Sequence, residues 1–113
     1  MSFSPLRGEV YWVDFGVPRG SEPGGRRPAV VVQNNIGNRL SPTTIVAAVG
    51  TKQPSRDYPF VVALDAGALG EPAVIHCEGL FTVAKERLTE KAGALSRDEL
   101  GRLDAALRAS LAL

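Results

Sequence analysis

The sequence predicts a mainly β domain, a small and strongly bent antiparallel sheet or barrel, with one α-helix at its C-terminal end. Three observations carry that expectation. Short runs of β-branched and aromatic residues recur through most of the chain. Glycine, proline, asparagine and aspartate separate them, and after residue 95 the apolar period lengthens to helical spacing. With 113 residues, the chain is expected to form a single domain over 1–113.

Residues 9–15, Glu-Val-Tyr-Trp-Val-Asp-Phe, read as the first strand, with Val10 and Trp12 on one face and Tyr11, Val13 and Phe15 on the other. The stretch 16–28 holds four glycines and three prolines. This composition leaves little room for helix or regular strand and predicts a long loop, a kind of segment that often carries function. Residues 29–33 and 43–49 are apolar, β-branched runs and read as the second and third strands, with turn-forming Asn34 to Asn38 and Ser41-Pro42 between them. Residues 58–64, 73–77 and 80–83 give further short strands, and 88–95 adds one more. Bending or closing such a sheet limits its exposed edges. Ser96 with Glu99 three residues on forms a capping-box pattern, and Leu100, Leu103, Leu107 and Leu111 recur on one helical stripe that must cover the sheet.

Composition excludes several classes. Hydrophobic residues make up 44% and charged residues 22%, and no apolar run approaches the roughly 20 residues of a membrane-spanning helix. The first residues lack the pattern of a secretory signal, so a cytoplasmic location is expected. Cys77 is the only cysteine and His76 the only histidine. An internal disulfide is therefore excluded, and strand alternation sends these two neighbours to opposite faces, Cys77 reading as a small buried thiol and His76 as a satisfied strand-end histidine. No residue set has the spacing of a metal site, and no metal or organic cofactor is expected.

The formal net charge of +1 does not announce a nucleic-acid partner. Local charge is more informative. Arg19, Arg26, Arg27, Arg39, Lys52 and Arg56 fall in the first half of the chain, against Glu9, Asp14, Glu22 and Asp57. The segment Arg19-Gly-Ser-Glu-Pro-Gly-Gly-Arg-Arg-Pro28 combines a hydroxyl, a carboxylate and three guanidiniums in a Gly/Pro loop, which suits a phosphate. It lacks the spacing of a Walker loop or a dinucleotide fingerprint, and by composition alone a solvated charged loop is the favoured account.

Four blocks, in order along nearly the whole chain, resemble the MazF/PemK toxins: Gly8-Glu-Val-Tyr-Trp-Val-Asp14, Gly20-Ser-Glu-Pro-Gly-Gly-Arg-Arg-Pro28, the stretch from Val30 through Gln33-Asn-Asn-Ile-Gly-Asn38 to Thr43, and Lys85-Glu-Arg-Leu-Thr-Glu-Lys91. The resemblance implies an SH3-like twisted antiparallel β-barrel with a C-terminal helix, as in CcdB and MazF proteins. It also implies a homodimer that binds single-stranded RNA or a cognate MazE-like antitoxin, and a ribosome-independent endoribonuclease. In such enzymes the substrate's 2′-hydroxyl attacks the adjacent phosphorus, leaving a 2′,3′-cyclic phosphate and a 5′-hydroxyl, with no metal required.

On the matching positions, Arg27 stands for the catalytic arginine, whose guanidinium suits the charge that builds on phosphorus. Ser21 and Glu22 stand in the loop that closes over RNA, with Glu22 orienting the arginine or assisting proton transfer. Arg19, Arg26 and Lys52 are the expected RNA-binding cations. A threonine normally ends the third strand, but here Gly50 holds that place and Thr51 follows; a one-residue bulge at Gly50 would restore the hydroxyl, which makes Thr51 the expected companion. After Glu78 the chain also departs, with Gly79 and Phe81 where many relatives carry glutamine and arginine. Phe81 reads first as core and second as a face for base stacking. A CcdB-like gyrase poison and a catalytically weakened binder of RNA or antitoxin are the alternatives.

Overall fold

A computed structural model describes residues 3–65 and 69–113. Six strands form one sheet, β1 (Glu9–Asp14), β2 (Arg26–Val31), β3 (Thr43–Gly50), β4 (Val61–Leu64), β5 (Ala73–Ala84) and β6 (Leu88–Ala94), with helices α1 (Asn35–Leu40) and α2 (Arg97–Leu111). The strand order is β4-β5-β3-β2-β1-β6, and every paired neighbour is antiparallel. β4 and β6 remain its edges, so the expected barrel is an open one.

Curvature gives this sheet two apolar interiors. Val10, Val30, Ala47, Ile75 and Cys77 face one cluster, which α2 closes with Leu103 and Ala106. Their strand neighbours Tyr11, Val13, Ala29, Val31 and Val46 face a second cluster with Val83 and Leu88. Period-two alternation therefore feeds both sides, and β5 bends across from the first cluster at Ala73 to the second at Val83. The bend explains why the two runs at 73–77 and 80–83 are one strand. Between Ala47 and Ala48 of β3, the paired residue on β5 jumps from Leu80 to His76, leaving Cys77, Glu78 and Gly79 bulged. The backbone N–H of Cys77 turns instead to the carbonyl of Phe60, at 3.0 Å.

Three boundaries differ from expectation. β2 begins at Arg26, inside the expected loop, because its ladder with β1 reaches Asp14↔Arg26. Pro28 is tolerated there since pairing with β3 starts only at Ala29. α1 replaces an expected turn: six residues are too few to show a helical period, but Asn34 caps it by accepting from the N–H of Gly37 at 2.8 Å. Buried Asn38 then locks α1 to its neighbours, donating to the carbonyl of Gln33 at 3.0 Å and accepting from Thr44 Oγ1 at 2.7 Å. Finally, β4 starts at Val61, since Pro59 interrupts the run.

The capping box forms with both halves in place: Glu99 N–H donates to Ser96 Oγ at 3.2 Å, and Ser96 N–H to Glu99 Oε1 at 2.8 Å. Leu103 is fully buried and Leu100 and Leu107 pack against the same cluster, whereas Leu111 is exposed. No helix among the described residues is long and apolar enough to cross a membrane.

Candidate active site

The loop between β1 and β2 is built on its stem. Phe15 N–H donates to the carbonyl of Gly25 at 2.9 Å and Gly25 N–H to that of Gly16 at 2.8 Å, with both glycines at positive φ, 75° and 70°. The tip folds back through a turn in which Glu22 N–H donates to the carbonyl of Arg19 at 3.0 Å. A loop closed in this way presents its side chains over the sheet.

Beneath it lies a depression of about 370 Å³. The loop supplies Ser21, Glu22 and Pro23, β2 supplies Arg27, β3 ends there at Gly50, and the bulged part of β5 supplies His76, Glu78 and Gly79. Phe15 and Phe81 meet edge to face at its wall, ring centroids 5.5 Å apart. Phe81 packs against the second core cluster, as its core reading expects, and its ring also lines the depression.

Arg27 is exposed, and its Nε donates to the carbonyl of Gly24 at 2.9 Å. That single anchor aims the fork while its terminal nitrogens keep no protein partner among the described residues. Glu22 makes no ion pair within 4.0 Å among the described residues. A carboxylate and a guanidinium thus share one pocket without neutralising each other.

A second depression, of about 300 Å³, shares Phe15, Glu22, Pro23 and Phe81 with the first and adds Arg19 and Arg87. Arg87, to which the sequence reading assigned no role, donates from Nη1 to the carbonyl of Asp14 at 3.0 Å. Together the two depressions form a groove with cations at both ends.

Arg26 is not brought to this groove. Alternation along β2 turns it to the opposite side, where it donates to Glu90 at 2.9 Å and to Thr89 at 3.2 Å and lies 4.8 Å over the Trp12 ring. The bulge expected at Gly50 is also absent. β3 runs regularly to a Gly50↔Val74 pair, and the irregularity lies between Ala47 and Ala48, on the β5 side. Thr51 and Lys52 consequently fall in an exposed bend beyond the lining residues.

His76 has a different place from the one its sequence suggests. Its half-exposed ring lies in the first depression, with Nδ1 at 3.4 Å from Glu78 Oε2. Alternation against buried Cys77 was the available signal, since it sends His76 to the opposite face. Burial pushes the Cys77 thiol up to about 11, with Glu78 adding to the shift, which leaves it an inert thiol at neutral pH. Among the described residues no cluster of three or more His, Cys, Asp or Glu side chains is placed to hold a metal ion.

Comparison with known proteins identifies the class to which this fold belongs. Residues 6–111 match the model of the PemK-like, MazF-like toxins of type II toxin–antitoxin systems, and the chain belongs to that family. It is 44% identical over 109 residues to Endoribonuclease EndoA of Bacillus subtilis, covering 95% of this chain and 94% of that one. Its fold matches an endoribonuclease solved with its cognate antitoxin from a mycobacterial species (TM-score 0.83, 25% identity, 97% of each chain). It also matches MazF of Deinococcus radiodurans (TM-score 0.82, 26% identity, 99% of this chain and 100% of that one).

Proposed function

We propose that this chain is an endoribonuclease toxin that cuts single-stranded RNA at a short sequence motif, blocking translation until a cognate antitoxin covers the groove. The observation that carries the reading is Arg27, anchored through Nε to the Gly24 carbonyl, in one pocket with Glu22, the Arg27 terminal nitrogens and the Glu22 carboxylate being unpaired among the described residues. Kinship with an endoribonuclease and with an antitoxin-bound relative supports it.

In this reading the substrate supplies its own nucleophile. As the 2′-oxygen bonds to phosphorus and the 5′-oxygen leaves, Arg27 stabilises the added negative charge on the phosphoryl oxygens with paired N–H donors. Glu22 accepts the 2′-hydroxyl proton, and Ser21 offers a hydroxyl to the phosphate. Arg19 and Arg87 hold the flanking backbone, and Thr51 and Lys52 are outer contacts on the strand beyond Gly50. Bases that leave the stack find the Phe15–Phe81 wall. A homodimer would set two such grooves side by side, and exposed Phe3, Leu6, Ile36 and Leu40 provide apolar surface for it.

The test is incubation of the purified protein with a long, mostly unpaired RNA in EDTA, with mapping of the cut ends. Recurrent cuts bearing 5′-hydroxyl and 2′,3′-cyclic phosphate ends are expected. Arg27→Ala should lower the rate at least about 100-fold, the scale of losing one charge-stabilising donor group, with an unchanged circular dichroism spectrum. Intact RNA after incubation with the wild-type protein would overturn the reading.

A further inference from the structure

Gly50 and His76 occupy one spot. A Cβ at position 50 would lie 3.4 Å from His76 Nε2 and 3.8 Å from its Cδ2. A β-carbon at position 50 would thus rest in van der Waals contact with the imidazole, which lies directly against the side-chain-free end of β3. The other ring nitrogen faces Glu78 Oε2 at 3.4 Å, so Nδ1–H is directed to the carboxylate and Nε2 toward the depression that holds Arg27 and Glu22.

Resting on the nuclease reading above, we propose that His76 is a catalytic residue of this chain, the acid that protonates the departing 5′-oxygen. Gly50 brings no side chain to the depression, Thr51 stands outside its lining, and the imidazole lies against Gly50 within it. The 2′-hydroxyl proton passes to the Glu22 carboxylate, the O2′–P bond forms, the P–O5′ bond breaks, and the Nε2 proton of the imidazolium goes to O5′. Solvent returns the proton to the ring and removes the one on Glu22. Imidazole suits this role because it can carry and release a proton near neutral pH.

The charged groups around the ring are few. Glu78 lies on its own strand, while Arg27 from β2 and Glu22 from the loop face the same depression. Its register partners, Ala48 on β3 and Val61 on β4, carry no charge. With His76 as acid, the profile of kcat/KM against pH should carry an alkaline limb that removal of the ring abolishes.

Wild type, His76→Gln and His76→Ala should be compared for kcat/KM from pH 5 to pH 9, each checked by circular dichroism. A parallel RNA should carry sulfur in place of the scissile 5′-oxygen, since a thiolate departs without a proton. Both variants are expected to lose about 100-fold or more on ordinary RNA, to lose the alkaline limb, and to match wild type on the sulfur substrate. Variants that cut ordinary RNA with the wild-type profile, or that stay equally impaired on the sulfur substrate, overturn the role of His76 and leave the nuclease intact. Failure of the wild type to cut either RNA overturns both.

Discussion

Two adjacent arginines have opposite fates because a strand alternates. Arg27 faces the groove with one backbone anchor; Arg26 faces β6, tied to Glu90 and Thr89 and stacked over Trp12. A guanidinium differs from an ammonium mainly in its planar fork, so Arg27→Lys tests the geometry rather than the charge. The lysine variant should bind RNA within a few-fold of wild type yet cleave at least about ten-fold more slowly, the loss showing in kcat rather than KM. Equal losses in KM would mean that Arg27 only holds the strand. At this scale the sequence was partly legible. The Arg27 and Glu22 positions follow from the loop motif, and the inertness of Cys77 from its apolar run. His76 was not, since its surroundings come from β2, β3 and a bulge that no local pattern announces.

Among the elements, β1 and β6 pair along a ladder to which one carboxylate adds a side-chain tie. Glu9 pairs with Lys91 at 2.8 Å, accepts from the N–H of Leu6 at 2.7 Å and from the Tyr11 hydroxyl at 3.0 Å. Burial alone would raise the Glu9 pKa, but Lys91, the Leu6 amide and Tyr11 together outweigh it and hold the group below the usual carboxylate range. Tyr11 is pushed up to about 12, by burial first and then by Glu9. A lowered folded-state pKa contributes stability above the ordinary carboxylate value and loses it as pH falls through the folded value. Glu9→Gln should therefore unfold at lower denaturant than wild type at pH 7, with the gap narrowing as pH falls from the ordinary carboxylate value through the lowered folded-state one. A gap that stays constant with pH would remove Glu9 from the acid response. The strands, the capping box and the buried stripe were legible here because each rests on a local pattern. α1 was too short for a period, and the single bent β5 needed the curvature of the whole sheet to join two runs into one.

For the whole molecule, a net charge of +1 conceals a polarised groove. Arg27 lines one depression, Arg19 and Arg87 line the adjoining one, and Glu22 is the carboxylate common to both. Binding of single-stranded RNA by such a surface should release counterions, with log affinity falling about 0.7 per phosphate contact for each unit of log salt. If the three arginines each meet one phosphate, a 2′-deoxy-blocked RNA should bind with a slope near −2, about three times 0.7. Arg87→Gln then gives a shallower slope by about 0.7 with no preference among RNA sequences, because a phosphate contact reads no base. An unchanged slope would place the backbone outside the second depression and confine the RNA to the pocket of Arg27. A changed sequence preference would mean that Arg87 reads a base edge, moving specificity from the aromatic wall to the far end of the groove.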